Sequence, residues 1–183
     1  MVTMTDMFTH RIARESDIPP IRAVMARAIA QNQSDFLSPE QIAVSSRTMG
    51  LDTQLVADAT YFIVEREGRI AGCGGWSFRS TLFGGDQSVV TRDPAPLDPA
   101  TEAAKIRAMY TDPEFVRQGI GSLILELGEN AARIAGFKRI ELMGTAAGVP
   151  LYRRRGYMPS APVEWIPVDG VVVPHLRMEK RLV

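Results

Sequence analysis

The sequence predicts an α/β (α+β) domain with a mixed, mostly antiparallel sheet. Two segments, 61–78 and 162–181, each have two strand-like runs around a tight turn, which indicates antiparallel hairpins. Between them, 103–143 alternates strand, helix and strand, so its two strands should be parallel with a right-handed crossover. With 45% apolar and 23% charged residues, the 183-residue chain has an ordinary globular composition, and we expect 1–183 to form a single domain.

Composition also excludes several classes of protein. The 21 Lys and Arg residues balance 21 Asp and Glu residues, so the chain has no bulk positive field to hold nucleic acid. The single cysteine, Cys73, lies among apolar and glycine residues and should be buried and reduced, as in a cytoplasmic protein. The segment Met1 to Arg11 has no signal-peptide core, and no apolar run approaches the roughly 20 residues that span a bilayer. His10 and His175 are too far apart for a zinc motif, so we expect neither metal nor membrane binding.

The first elements are a strand and two helices. Apolar residues alternate in 8–14, which predicts a strand. Ser16 and Asp17 resemble a helix cap, and the apolar residues that follow recur at helical spacing. Ser38 and Pro39 predict the start of another helix, which we expect to continue to about Leu51.

The first hairpin has an unusual second strand. Tyr61 to Glu65 and Ile70 to Phe78 flank the turn dipeptide Glu67-Gly68. Three glycines weaken the second strand and predict a close backbone approach or a bulge. They are Gly72, Gly74 and Gly75.

A long connection rich in Gly, Asp, Ser and Pro follows from 79 to 101. Loops of this length are commonly functional lids or partly disordered segments. Four apolar side chains stand at its start and could form an acceptor pocket, cap the core or line a dimer contact. They are Trp76, Phe78, Leu82 and Phe83.

The second half contains the clearest strand, turn and helix. Ala103 to Thr111 reads as a strand, and an amphipathic helix follows Gly119-Ile120-Gly121 until Gly136 ends it. A strand over 138–143 completes the β-α-β unit. The chain then forms a short helix with Pro150 near its start and Gly156 past its end.

The last hairpin, 162–168 and 171–181, turns at Asp169-Gly170. Pro174 lacks a backbone donor, so its strand should be an edge or carry a bulge at that position.

Gly119 and Gly121 predict an anion site, because unhindered amides at a helix N-terminus can donate to phosphate oxygens. A dinucleotide fingerprint would need a third glycine where Ile124 stands. A nucleotide triphosphatase loop would need Gly-Lys-Ser or Gly-Lys-Thr, which does not follow either glycine.

The segment from Val116 to Gly121 instead resembles the pyrophosphate loop of the Gcn5-related N-acetyltransferase (GNAT) superfamily, written Gln/Arg-x-x-Gly-x-Gly/Ala. Both glycines match, whereas Val116 occupies the first position and Arg117 stands one residue later. Tyr152 precedes Gly156-Tyr157 by four residues, as in the family's fourth-helix signature. Together the segments imply a GNAT fold over nearly the whole chain, with a seven-stranded sheet and about four helices.

The resemblance implies direct acetyl transfer from acetyl-CoA to an amine, with Tyr152 as the acid that protonates the departing thiolate. Met109 is expected to offer its backbone N-H to the oxyanion, and Thr111 to pair with the pantetheine arm like an added strand. Thr145 stands where relatives often carry an asparagine that contacts the cofactor. The expected acetyl-CoA contacts are Met109, Thr111, Arg117, Gln118, Gly119, Ile120, Gly121, Ser122, Thr145 and Tyr152.

The sequence assigns no general base. Lys105 stands where some relatives have a glutamate, and the nearest carboxylate is Glu102. Three other titratable residues on expected strands, with solvated or structural roles as the simpler interpretation, are Glu65, Glu141 and His175. The alternatives are a non-catalytic acyl-CoA-binding or sensing domain and a transferase for a longer acyl-CoA. The acceptor, a small molecule or peptide, and the oligomeric state stay open, with a homodimer as one expectation.

The run Arg153-Arg154-Arg155 does not require a nucleic-acid partner. Cations in the last turn of a helix are stabilised by its dipole, and one of them could contact the 3'-phosphate of the cofactor.

Overall fold

The computed structural model describes residues 7–183, so most of the segment Met1 to Arg11 lies outside it. One sheet of eight strands is flanked by five α-helices. In chain order the elements are β1 (Thr9–Ile12), α1 (Ile18–Asn32), α2 (Pro39–Ser45), α3 (Gln54–Ala57), β2 (Tyr61–Arg66), β3 (Arg69–Ser77), β4 (Ala104–Thr111), α4 (Ile120–Ile134), β5 (Arg139–Thr145), α5 (Val149–Arg154), β6 (Met158–Pro159), β7 (Glu164–Val168) and β8 (Val171–Arg181). The strand and the helix beyond the expected numbers are both short: β6 has two residues and α3 has four.

The strands lie in the order β1-β2-β3-β4-β5-β8-β6, with β7 also paired to β8. Every pair is antiparallel except β4 with β5, as expected for a β-α-β unit. This parallel ladder contains only two residue pairs, Ala104 with Ile140 and Lys105 with Glu141. The rest of β4 therefore has a free edge towards β5, and a cleft opens there.

Successive side chains of each strand point to opposite faces of the sheet, and helices cover the apolar residues on both faces. The buried stripe of α1 packs with Tyr61, Ile63 and Cys73 on one face. The start of α4 packs with Val64 and Ala71 on the other. Cys73 is fully buried, as expected, and burial raises the pKa of its thiol to about 12. Within 7–183 no helix is both long and apolar enough to cross a bilayer.

The prediction for α2 was wrong at its end, because the helix stops at Ser45 instead of continuing to Leu51. After Ser45 the backbone tightens, with Arg47 N donating to Val44 O and Thr48 N to Ser45 O. Side-chain hydroxyls add to these bonds: Ser45 Oγ donates to Gln41 O at 2.7 Å, and Thr48 Oγ1 donates to Ser45 O at 3.2 Å. Ser and Thr compete with the helical backbone in this way. Gly50 then reverses the chain at φ +118°.

The glycines of β3 allow α4 to approach closely. A Cβ atom at Gly72 would lie 2.5 Å from the Ile120 side chain, and one at Gly74 would lie 2.7 Å from Ile124. The ladder to β4 also changes register between Cys73 and Gly75. Both the predicted close approach and the predicted irregularity are therefore present.

Proline in β8 occupies a tolerated place. The β5 ladder of β8 ends at the pair Thr145 with His175, so Pro174 is paired only with Trp165 of β7. This local edge agrees with the expectation for Pro174, because a proline cannot donate to a second strand.

Candidate functional site

A cavity of about 780 Å³ lies where β4 and β5 separate. One side, here called the glycine-loop wall, is formed by lining residues of 116–122 and 145–154. The other, called the opposite wall, is formed by lining residues of 31–36, 48–50 and 82–84. The second half of β4 forms the floor.

The glycine-loop wall begins with backbone that few residues adopt. Arg117 has φ +64° and Gly119 has φ +86°, so two positions of this short loop are left-handed. Such turns direct neighbouring amides towards one point and form anion-binding concavities. Gly119 is also the N-cap of α4 and supplies no capping side chain, which leaves the first amides of the helix open to a ligand.

All predicted contact residues except Gln118 line the cavity. The Gln118 side chain lies outside it, where its amide approaches Arg66 and the Glu114 carbonyl at 3.5 Å each. Gln118 therefore stays an expected contact through its backbone amide. Ile120 is 2% exposed and packs under Gly72, so only its backbone is available to a ligand.

Tyr152 lies on α5 with its ring packed edge-on against Tyr157, the ring centroids 6.1 Å apart. A Cβ atom at Gly148 would lie 3.1 Å from its hydroxyl oxygen, so glycine makes room for the ring. This hydroxyl lines the cavity without a hydrogen-bond partner among residues 7–183, although the side chain is 9% exposed. Burial raises the pKa of Tyr152 to about 12, so the phenol keeps its proton at neutral pH.

Thr145 uses its side chain within the protein. Its Oγ1 accepts a hydrogen bond of 3.3 Å from the Gly148 amide and fixes the turn before α5. The hydroxyl proton stays available to the cavity that Thr145 lines.

The floor of the cavity is kinked. Ala108 has φ +49°, and the buried Tyr61 hydroxyl donates to its carbonyl at 2.6 Å. Beyond the kink the Asp112 amide donates to Ala71 of β3. Because backbone groups alternate along a strand, those of Met109 and Thr111 face the free edge. The Thr111 carbonyl there accepts from Asn32 Nδ2 at 2.8 Å, which leaves its N-H for a ligand.

The opposite wall is fixed by a buried cation. Arg107 of β4 donates to the Asp52 carboxylate at 3.1 Å and to the carbonyls of Thr81 and Gly84 at 3.1 and 2.7 Å. Burial lowers the pKa of Arg107, and the adjacent Asp52 carboxylate opposes that shift. Within the long connection, the Ser80 amide donates to the Ala95 carbonyl and the Thr81 amide to the Asp93 carbonyl, which joins its two arms behind the lining residues of 82–84.

The four apolar residues just before and at the start of this connection divide into two groups. Leu82 and Phe83 line the cavity, as an acceptor pocket would require. Trp76 and Phe78 pack in the core with Phe137 nearby.

The carboxylates considered as bases are occupied elsewhere. Glu141 is 5% exposed and accepts from Lys105 and Arg177. Glu65 pairs with Arg11, and Glu102 accepts from the Asp98 amide. None of the three lines the cavity.

His175 does line the cavity, which its sequence neighbours gave no reason to expect. It lies beside Thr145 through the register of β5 with β8. Only that long-range register could have revealed its position in advance.

Two arginines give the glycine-loop wall a positive rim. Arg117 and Arg154 line the cavity, are exposed and form no salt bridge with the described residues. Asp35, also exposed, is the one carboxylate that lines the cavity among residues 7–183. The charge distribution of the cavity therefore favours an anion on the glycine-loop side.

Solved structures share this fold across nearly their whole length. A GCN5-related N-acetyltransferase from Rhodopseudomonas palustris is 16% identical, with 95% of each chain covered and a TM-score of 0.69. YncA from Salmonella typhimurium, solved with its cofactor acetyl-CoA, is 16% identical, covers 97% of this chain and 95% of its own, and has a TM-score of 0.62. PaiA N-acetyltransferase from Thermoplasma acidophilum, solved with coenzyme A, is 13% identical, with 95% and 98% covered and a TM-score of 0.60.

No curated protein sequence matches this chain. The family model described as "Acetyltransferase (GNAT) family" matches residues 27–157, which include the floor and the glycine loop and end just past α5. The match covers more than half of the chain and agrees with the sheet topology and the glycine-loop wall. The chain therefore belongs to the GNAT acetyltransferase family.

Proposed function

We propose that this protein transfers an acetyl group from acetyl-CoA to a primary amine. One observation carries the proposal: a single cavity contains both the amide cluster around Gly119 and the protonated, unpartnered Tyr152 hydroxyl. An anion-binding loop and a proton donor on one wall fit a CoA thioester, whose diphosphate needs the first and whose departing thiolate needs the second. The relatives solved with acetyl-CoA and coenzyme A support this choice of ligand.

The glycine-loop wall would hold the cofactor through its backbone. The amides from Arg117 to Ser122 would donate to the pyrophosphate, with the dipole of α4 behind them. No Cβ projects from Gly119, and the space beside it is open, so a diphosphate could approach the chain closely. Arg154 on the rim would contact the 3'-phosphate.

The floor would align the thioester. The Thr111 N-H faces the free edge of β4 and would pair with the pantetheine arm. Met109, next to the kink at Ala108, would direct its N-H to the carbonyl oxygen and stabilise the negative charge that develops there. Holding the two reactants together supplies a large part of such an acceleration.

Transfer would then be direct. The amine nitrogen bonds to the acetyl carbon, the carbon-sulfur bond breaks, and Tyr152 gives its proton to the thiolate. Burial raises the pKa of Tyr152, so the phenol carries a proton to donate throughout the working pH range. The opposite wall, with Leu82 and Phe83, would receive the amine.

Two assays test this function. Calorimetry with acetyl-CoA measures binding, and thiol release over a panel of arylalkylamines, polyamines and peptides measures turnover. We expect both binding and turnover of at least one amine. Binding of acetyl-CoA with no thiol release beyond the rate of background hydrolysis would favour the acyl-CoA-sensing alternative. Faster thiol release from a longer acyl-CoA than from acetyl-CoA would favour the transferase for a longer acyl-CoA. The acceptor, a cytoplasmic location and a homodimer remain predictions.

A further inference from the structure

His175 lines the same cavity as the proposed acid. It is 3% exposed and pairs with Thr145 across β5 and β8. A Cβ atom at Gly144, the residue before Thr145, would lie 3.3 Å from Tyr152 Cδ2. Because successive residues of a strand point to opposite faces of the sheet, the imidazole and the phenol approach the cavity from opposite faces. His175 lies on the side of Phe83, where the amine is proposed to enter.

The environment of the imidazole selects its tautomer. Nδ1 lies 3.2 Å from the Val173 carbonyl, which can only accept, so Nδ1 carries the proton of the neutral ring. The lone pair is then on Nε2, which has no hydrogen-bond partner among residues 7–183. Phe83 stacks on the ring, with centroids 5.4 Å apart and planes at 30°, and holds its orientation. A buried basic nitrogen is thus oriented and left unused.

The surrounding charges leave this ring neutral. Burial lowers the pKa of His175, and only Glu164, its exposed neighbour on β7, acts in the opposite direction as a charge. Arg177, two residues along β8, is paired with Glu141 of β5. The other ionisable groups that line the cavity within 7–183 come from other elements. They are Arg107 of β4, paired with Asp52, Tyr110 of β4, the protonated Tyr152 of α5, and the exposed Asp35, Arg117 and Arg154.

Other bases are poorly placed in the described structure. Glu141 is held by two cations, and Glu102 lines a separate cavity beside it. Asp35 lines the main cavity but is exposed to solvent. Within the described structure, His175 is the buried group of the cavity that can accept a proton, and it contacts Phe83 of the proposed amine site.

We propose that His175 Nε2 is the general base that deprotonates the acceptor ammonium in the acetyl transfer proposed above, on which this inference rests. An N-H bond of the ammonium breaks and Nε2-H forms, after which the nitrogen lone pair attacks the thioester carbon. The attacking nitrogen loses its second proton as the amide forms, and this proton returns Tyr152 to its phenol form after Tyr152 has protonated the thiolate. The proton on His175 leaves to solvent, so one proton is released per turnover.

The test compares wild type with His175→Gln and His175→Ala, using the best amine from the panel. At pH 7 we expect kcat/KM to fall roughly 100-fold in both, with the affinity for CoA unchanged. Wild-type kcat/KM should rise with pH and level off above the pKa of His175. In the variants kcat/KM should keep rising about tenfold per pH unit up to the pKa of the amine, near 10, because only the free amine reacts. Added imidazole should restore part of the His175→Ala rate.

Other results would overturn one or both of the proposals. A variant with the wild-type profile would overturn the base role and leave acetyl transfer intact. CoA binding without turnover of any amine by wild type would overturn both proposals. Nitrogen-15 spectra of the wild-type imidazole need no acceptor: we expect the Nδ1-H tautomer at pH 7, and a charged ring or an Nε2-H tautomer would contradict the assignment even where a variant fails to fold.

Discussion

The two walls of the cavity are stabilised in different ways. The glycine-loop wall presents backbone amides, and its left-handed and cavity-lining residues lie within the short segments 117–121 and 145–156. The opposite wall joins Asp52, the long connection and β4 through the buried Arg107. A wall that binds the same cofactor in many relatives can be encoded locally, whereas a wall that selects an acceptor depends on contacts between distant segments. Substitutions should therefore separate cofactor affinity from acceptor recognition.

The largest expected effect is on the opposite wall. Asp52→Asn leaves the buried Arg107 without its countercharge, so the free energy of unfolding should fall by about 3 kcal/mol. Denaturant unfolding measures this change. In the folded variant we expect the acceptor KM to rise while the affinity for CoA stays near wild type. Arg47→Gln, which removes an exposed partner of Asp169, is the control and should change little. Equal losses of stability in both variants would refute the assignment.

The next effect is on the glycine-loop wall. Gly119→Asp places a negative charge beside the pyrophosphate amides and should weaken CoA binding roughly 100-fold. The matched control is Gly119→Asn, because Asn is nearly isosteric with Asp, tolerates the left-handed backbone of this position and carries no charge. Both side chains fill the space beside the loop, so by calorimetry Gly119→Asn should bind CoA about tenfold more tightly than Gly119→Asp, the difference being the charge. If the two variants bound equally, electrostatics at this loop would not explain CoA affinity.

Tyr152→Phe should affect chemistry without affecting either wall. A thiolate leaves without full protonation more easily than an amine does, so we expect kcat to fall roughly 30-fold, below the usual range for general acids. Affinity for CoA should stay unchanged, because the ring keeps its packing against Tyr157. The measurement is single-turnover thiol release, and an unchanged rate would reduce Tyr152 to a packing role.

The smallest effect is expected at the rim. Arg154→Gln should weaken CoA binding roughly fivefold, as for an exposed ion pair. Its binding of 3'-dephospho-CoA should match that of wild type, since the partner phosphate is missing. An equal loss for both ligands would indicate that Arg154 acts on the loop and not on the phosphate.

The sequence predicted the features that depend on neighbours in the chain. Gly119 and Gly121 at a helix N-terminus were recognisable from their spacing, and Tyr152, four residues before Gly156, from its resemblance to the family signature. The end of α2 was missed because the chain tightens into turns of three residues after Ser45, which apolar spacing does not reveal.

The remaining features depend on long-range geometry. The direction of the Gln118 side chain, away from the cavity, could not be predicted, because side-chain direction in a left-handed loop does not follow from sequence order. His175 and Thr145, thirty residues apart in the chain, form a pair in the ladder between β5 and β8. The position of His175 follows from this pairing. The anchoring of the long connection by Arg107 likewise requires tertiary structure.

The central claim is that backbone amides of the glycine loop hold the diphosphate of CoA. Amide nitrogen-15 spectra during a CoA titration test it residue by residue. We expect the largest shifts for the amides from Arg117 to Ser122, and small shifts around Asp52 and Gly84 on the opposite wall. Unmoved loop amides, with the largest shifts around Glu141 and Arg177 of the second cavity, would contradict the account.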